Sequence, residues 1–471
     1  MIRIAAVLLL TLRLASAQSA GPFLERPYLQ LGDAPKLINQ ESLVLLWHTA
    51  DAEPDWSVEV QSMESPASDG MVWRRMPAPV SSAIDVPRIP KHYVWRAVLG
   101  GLTPGAQYRY RVLKMGKPVF QATAKARKAA TQPVRFVLFG DASDQTAWQR
   151  AIAYQTFLQH PDFVFITGDI VYEDGRISEY REKFFPVYNA DKTSAETGAP
   201  LLRSIPFLAT PGNHDTSLSS FRHFADALAY FYYWDQPLNG PPNPALRLIG
   251  HPPVQPAFKT AAENRWPVMA NFSFDYGNAH WTVLDSNPYM DWSSPALRKW
   301  LADDLAAATG AAWRFVAFHH AAFHSSKENF NDQWMRQLAP LFEDGKVDVV
   351  FSGHVHNYQR SFPLKFVPRP QRNGAAVGRR GRVPGEFKLD KAFHDGAAGQ
   401  PTGVIYVVSG GGGSALYNPE QMKKPAGWQP FTDKFIADVH SFTLVDIRGR
   451  TFELKQISET GAEVDALQIT K

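Results

Sequence analysis

The spacing of apolar residues changes once along this chain, near residue 130. From Pro22 to Ala130 they alternate with polar residues in short runs, as in "SLVLLWHTA", "WSVEVQSM", "HYVWRAVLGGL" and "AQYRYRVLK". A period of two turns one strand face to a core and the other to solvent. From Thr131 onward the strand-like runs become nearly continuous in apolar residues: "VRFVLFGD", "DFVFITGD", "PFLATPGNHD", "HWTVLDSN", "WRFVAFHH", "VDVVFSGH" and "GVIYVVSGGGG". Helical periods lie between several of them. Trp148, Ile152 and the Tyr154–Leu158 region recur at helical spacing, as do Leu297, Trp300, Leu301 and Leu305. A third period, "DQWMRQLAPLFEDG", stops at Gly345, a C-cap residue. Such alternation predicts an α/β layered core over 131–471, and the earlier pattern a small all-β sandwich over 22–130. Two stretches fit poorly. Tyr230 to Trp266, rich in Pro, Gly and aromatics, is expected to run over the surface. Arg369 to Gly399, with Arg379, Arg380 and Arg382, is expected to be a solvated insertion, with attraction of an anionic substrate as the minority reading.

Composition narrows the classes. The 471 residues are 45% hydrophobic and 20% charged, ordinary for a globular protein with a large core. A formal charge of +4 without a long basic run gives no reason to expect nucleic acid. The first residues, "MIRIAAVLLLTLRLASAQSA", have a positive start at Arg3, an apolar stretch from Ile4 to Leu12 and a small-residue site at Ala15-Ser16-Ala17. The apolar run is too short to span a bilayer. Residues 1–17 are therefore expected to be a cleaved signal peptide, which makes the mature protein secreted or periplasmic without a stable membrane anchor. With no cysteine in the chain, disulfides and thiolate chemistry are excluded, and any metal must be held by oxygen or imidazole nitrogen.

Five strand-like runs end in residues of that type. "LFGD" ends at Asp141, and "ITGD" at Asp169 with Tyr172 three residues on. "TPGNHD" supplies Asn213, His214 and Asp215, "VAFHH" supplies His319 and His320, and "FSGHVH" supplies His354 and His356. Ligands of open α/β sheets bind beyond the carboxyl ends of strands, so neighbouring strands would bring these groups to one rim. A glycine precedes Asp141, Asp169, Asn213 and His354, where it is expected to permit the tight turn at each strand exit. Carboxylates and imidazoles without thiolates suit Fe, Mn or Zn.

The ordered set Asp141, Gly168-Asp169-x-x-Tyr172, Gly212-Asn213-His214-Asp215, Val316-x-x-His319 and Gly353-His354-x-His356 resembles the ligand motifs of the calcineurin-like metallophosphoesterases, and more narrowly the purple acid phosphatases. "ERPYLQLG", the late "IYVVSGGGG" and the turn in "GLTPGAQYRYRV", similar to the tyrosine corner of fibronectin type III domains, match that family's two-domain layout. The resemblance implies a four-layer α/β (α+β) metallophosphoesterase sandwich preceded by the small all-β domain. It implies that Asp141, Asp169, Tyr172 and His356 hold one metal and Asp169, Asn213, His319 and His354 a second, with Asp169 bridging. Tyr172 then points to Fe(III), paired with Fe(II), Zn(II) or Mn(II). Ser143 departs from the glycine common in the family and from the histidine ligand of relatives outside the purple branch. His214 would face substrate and assist the leaving oxygen, oriented by Asp215. His320 and His324 are candidates for a proton donor or a phosphate contact, and Asn213 and His214 for substrate contacts. The implied activity is hydrolysis of small phosphate monoesters by in-line attack of a metal-bound hydroxide. A phosphodiesterase of the same fold and a non-catalytic, metal-containing binding protein are the alternatives.

Overall fold

Two twisted sheets face one another through an aromatic core, and helices cover their outer faces. The first sheet has ten strands, the second seven. This computed structural model describes residues 21–64, 72–242, 246–370, 374–393 and 399–471, so the leader expected over 1–17 lies outside the described residues. In the first sheet Val134–Phe139, Phe163–Ile166 and Phe207–Ala209 run parallel. In the second, Ala279–Val283, Trp313–His320, Val349–Gly353 and Ile405–Ser409 do the same. Strands buried on both faces need apolar residues at every position, which is why these segments read as unbroken apolar runs.

The sheets meet on rings. Trp281 lies 5.1 Å from Phe136, 5.3 Å from Phe165 and 5.7 Å from Phe351, centroid to centroid, and all four are fully buried. Helix Ala147–Leu158 packs on the outer face of the first sheet through Ile152 and Ala153. Helix Pro295–Ala307 packs on the second through Leu297, Leu301 and Leu305. The result is a four-layer α/β/β/α sandwich. Among the described residues no helix is long and apolar enough to cross a membrane.

The N-terminal β region forms two sheets. Arg74–Arg75, Trp56–Ser62, Gln107–Lys114 and Lys117–Lys125 make a separate four-stranded sheet. Glu25–Gln30, Glu41–Thr49, His92–Leu102 and Val80–Ile84 instead extend the ten-stranded sheet, joined through a parallel bridge between Gln30 and Phe207. The Tyr108 hydroxyl accepts the Thr103 N–H at 2.7 Å, closing a tyrosine corner. Arg127, fully buried, pairs with buried Glu41 and also donates to the carbonyls of Ala34 and Asp275, tying this region to the second sheet.

Tyr230 to Trp266 does not run over the surface throughout. Tyr230–Tyr233 is a helical turn, and its four aromatics and Trp234 are buried in the core against Phe184, Phe185, Phe258 and Trp266. Pro and Gly in the flanking sequence suggested a loop, but burial of five rings outweighs the loss of regular structure around them. The insertion Arg369 to Gly399 is anchored by a two-stranded hairpin, Leu364–Pro368 with Gly385–Leu389.

His280 fixes the second sheet to its helix. Its ring meets Asp275 at 2.7 Å across the strand pair and Asp304 of helix Pro295–Ala307 at 3.1 Å. Burial opposes the charge, but the two carboxylates raise the pKa to about 9. A raised folded-state pKa stabilises fully below the unfolded value and is lost as pH rises through the folded one. Denaturant unfolding should therefore show a loss of about 2–3 kcal/mol between about pH 6.5 and about pH 9. The variant His280→Gln should lack most of this pH-dependent loss, and an equal loss in both proteins would show that His280 is not its source.

Candidate metal centre

The carboxyl ends of Val134–Phe139, Phe163–Ile166, Phe207–Ala209, Trp313–His320 and Val349–Gly353 converge, and each delivers side chains to one point. Three of these residues adopt left-handed backbone: Asp141 (φ 58°), Asp169 (φ 50°) and His354 (φ 68°). Non-glycine residues seldom do so, and such conformations concentrate at functional sites. Of the four glycines preceding candidate ligands only Gly168 has a positive φ, of 88°. The tight turn is thus made mostly by the ligands themselves, and the glycines serve close approach. A Cβ on Gly212 would sit 2.1 Å from Asp169 Oδ1, and one on Gly353 2.8 Å from Asp141 Oδ2.

Two overlapping groups of donors result. In the first, His319 Nε2 lies 3.0 Å from Asn213 Oδ1, 3.2 Å from Asp169 Oδ2 and 3.2 Å from His354 Nδ1. In the second, the Tyr172 hydroxyl lies 3.2 Å from both Asp141 Oδ1 and His356 Nε2, and His356 Nε2 is 3.4 Å from Asp141 Oδ1. All seven candidate ligands are therefore brought together.

The far nitrogen of each imidazole is held by an acceptor. His319 Nδ1 meets the Thr167 carbonyl at 2.9 Å, His356 Nδ1 the Ala415 carbonyl at 2.8 Å, and His354 Nε2 the Asp332 carboxylate at 3.0 Å. A ring that donates from one nitrogen presents a lone pair at the other. Three lone pairs then point inward beside two carboxylates, a phenol and an amide oxygen. The lone pairs of His319 and His354 face each other at 3.2 Å, a repulsive arrangement unless a cation lies between them. Burial opposes a charge on His319, but Asp169, Asp141 and the Thr167 carbonyl raise its pKa to about 9, so Nε2 carries either a cation or a proton. Burial and the Asp141 and Asp169 charges push the Tyr172 phenol well up. Asp169, His319 and His354 form a group able to hold a metal ion. The donor set fits metal ions of the oxygen- and imidazole-binding kind.

The other expected site residues are placed as follows. His214 stands at the rim, Nε2 3.9 Å from Asp169 Oδ2, with its ring against Tyr172. Its Nδ1 meets the Glu173 carbonyl at 2.7 Å, so Glu173, not Asp215, orients it. Asp215 is fully buried and its carboxylate accepts the N–H groups of Ile170, Val171 and Gly212 at 2.8–3.3 Å. It ties the Asp169 loop to the Asn213 loop; burial and the Asp169 charge raise its pKa to about 7. This geometry corrects the expectation of a catalytic role. His320 lies behind the donor set, with Nδ1 2.9 Å from the Ser286 hydroxyl and its ring 4.3 Å from that of His354. Burial and the neighbouring imidazoles push its pKa well down. His324 is buried, its pKa lowered by burial and Arg336 to about 3, and among the described residues no hydrogen bond joins it to the donors. Ser143 is buried beside Val171, and among the described residues its hydroxyl has no hydrogen-bond partner.

Two contributors escaped the sequence reading. Asp332 holds His354 from a loop with no motif, and Tyr417 stacks on His356 at 4.0 Å and 10°. The "SGGGG" run was the available signal for the second, since it carries the chain over Asp141 seven residues before Tyr417: a Cβ on Gly410 would sit 2.8 Å from Asp141 Oδ2.

Comparison with known proteins agrees with this layout. The profile of the calcineurin-like phosphoesterases matches residues 134–358. Purple acid phosphatase 22 of Arabidopsis thaliana is 26% identical over 266 residues, covering 56% of this chain and 52% of that protein. The probable inactive purple acid phosphatase 27 of the same plant is 26% identical over 322 residues, covering 66% of this chain and 44% of the relative. The chain thus spans about half the length of these relatives. Among solved structures, the purple acid phosphatase PPD1 of yellow lupin (Lupinus luteus) seeds superposes with a TM-score of 0.61 at 19% identity, over 94% of this chain and 74% of the other, which shows a shared fold. Residues 134–358 are a calcineurin-like metallophosphoesterase domain, and the chain is similar to purple acid phosphatases in sequence and in fold.

Proposed function

We propose that the protein is an exported hydrolase of phosphate monoesters that works with two metal ions, Fe(III) with Fe(II), Zn(II) or Mn(II). The observation that supports this most directly is the fixing of three imidazoles by Thr167, Ala415 and Asp332, which turns their free nitrogens onto the two carboxylates. Metal ions in such a set withdraw charge from phosphoryl oxygens and acidify water. Asp141, Asp169, Tyr172 and His356 would hold one ion, and Asp169, Asn213, His319 and His354 the other. His214 is the group that protonates the leaving alcohol. Burial lowers its pKa, but the Asp169 charge and the Glu173 carbonyl raise it overall, and with Nδ1 occupied the exchangeable proton sits on Nε2. Asn213 adds an amide beside the phosphoryl group. The leader-like sequence supports export.

The test is turnover of a generic aryl phosphate monoester and a generic diester by the metal-loaded protein, with the monoester expected to be faster. Turnover of neither, with metal bound, would leave a metal-binding protein without catalysis. Asp169→Asn should lose bound metal and at least about 100-fold in kcat/KM, because the shared carboxylate no longer offsets two cations. Near-normal turnover would refute the bridging role. Asp332→Ala frees the far nitrogen of His354 and should weaken metal affinity about 10–100-fold, read by titration with a competing chelator. With iron bound, wild-type protein should show a broad visible band from the Tyr172 phenolate, absent in Tyr172→Phe. A band that persists in the variant would place the chromophore elsewhere.

A further inference from the structure

Beside the donor set, at the carboxyl ends of the second sheet, lies an open cleft of about 1300 Å³. Three segments wall it: Pro288 to Ser293 after strand Ala279–Val283, Asn331 to Gln337 after strand Trp313–His320, and Gly374 to Gly381 of the insertion. Asp332 joins cleft and metal centre, since it lines the cleft while its carboxylate binds His354 Nε2 at 3.0 Å. Trp334, on the same wall, packs on His320 at 4.8 Å, and His320 packs on His354 at 4.3 Å.

The lining mixes large apolar groups with two guanidiniums. Tyr289, Met290, Trp292, Trp334 and Val377 supply apolar and aromatic surface, and Arg298 and Arg380 the charge. The two carboxylates of the wall are already engaged, Asp332 by His354 and Asp291 by the N–H and hydroxyl of Ser293. Arg298 is different. It is half-buried, and among the described residues its side chain donates one hydrogen bond, to the Gln337 carbonyl at 3.3 Å, and meets no carboxylate. Burial alone depresses its pKa, with no acid to raise it. A partly desolvated guanidinium without an anion is costly, and a ligand that brings one recovers that cost through charge-assisted hydrogen bonds.

We infer that this cleft receives the alcohol part of the substrate, and that the substrate class is a phosphate ester whose alcohol is bulky, ring-bearing and carries a second anionic group that meets Arg298. The inference rests on the hydrolase reading above and narrows it. The reacting phosphate sits at the donor set, the ring lies along the wall that includes Trp334, and the second anion reaches the start of helix Pro295–Ala307. The insertion then acts as the outer wall of a substrate cleft.

Two measurements on the full chain separate this inference from the hydrolase reading. The first is the ratio of kcat/KM for an adenosine bisphosphate to that for phenyl phosphate, with metal loaded. It should exceed one in the wild type and fall about tenfold in Arg298→Gln, the usual worth of a hydrogen bond to a charged group. It should also fall in Ala376→Trp, which fills the cleft from the insertion side and leaves the Arg298 guanidinium in place. The second is calorimetric binding of the same bisphosphate, which should weaken about tenfold in Arg298→Gln whether or not turnover occurs. If no ester is hydrolysed but binding weakens in this way, the hydrolase reading fails and the cleft assignment stands. A ratio and a binding constant unchanged in both variants overturn the cleft assignment, whatever the turnover.

Discussion

Everything in the centre depends on strand exits passing one another at backbone contact distance. Gly212 lies so near Asp169 that no Cβ fits between them, and Gly168 would thrust one to 2.5 Å from His319 Nδ1. Gly410 is closed off by the Val355 carbonyl, 2.3 Å from where its Cβ would be. Side chains as short as Asp and Asn can reach a common point only if the backbones that carry them come this close. The facing aromatic core determines the distance between the sheets, and the absent side chains at these crossings let their edges close over it. The strained φ values of Asp141, Asp169 and His354 follow from the same crowding.

Close approach alone would collect repelling groups. The chain instead settles each imidazole's tautomer from behind, with two carbonyls and one carboxylate, so that the ring nitrogens face inward as acceptors. Asp215 performs the equivalent task for backbone, gathering three N–H groups from the two loops that carry Asp169 and Asn213. The interior of the site therefore holds acceptors of positive charge, no lysine or arginine among the described residues bonds to them, and the cationic side chains of Arg298 and Arg380 line the neighbouring cleft.

Motifs made of consecutive residues were legible in the sequence because strand exit and ligand are adjacent along the chain, as in "TPGNHD" and "FSGHVH". The layered architecture was legible for a related reason: strands covered on both faces cannot tolerate polar positions. What depended on packing was not. Asp215 looks like a partner of His214, its chain neighbour, yet it turns inward to N–H groups that only folding brings near. His320 follows a ligand directly, and strand alternation sends it to the opposite face. Asp332 and Tyr417 reach their histidines from distant loops, Asp332 with nothing local to mark it and Tyr417 with only the glycine run before it. Tyr230 to Trp234 sits among Pro and Gly, and only the rings of Phe184, Phe185, Phe258 and Trp266 packed around it reveal why five rings are there.

The bridge between Gln30 and Phe207 makes the N-terminal strands the neighbours of Phe207–Ala209, the strand that leads into Asn213. That strand is three residues long, and its outer side would otherwise be an open edge with unpaired N–H and C=O groups. Glu25–Gln30 and the strands beyond it serve as a selvedge, finishing the central fabric where it would fray. The N-terminal β region is therefore not a detachable cassette. Fraying at that seam would reach the centre through a single short strand, without disturbing any of the ligands directly.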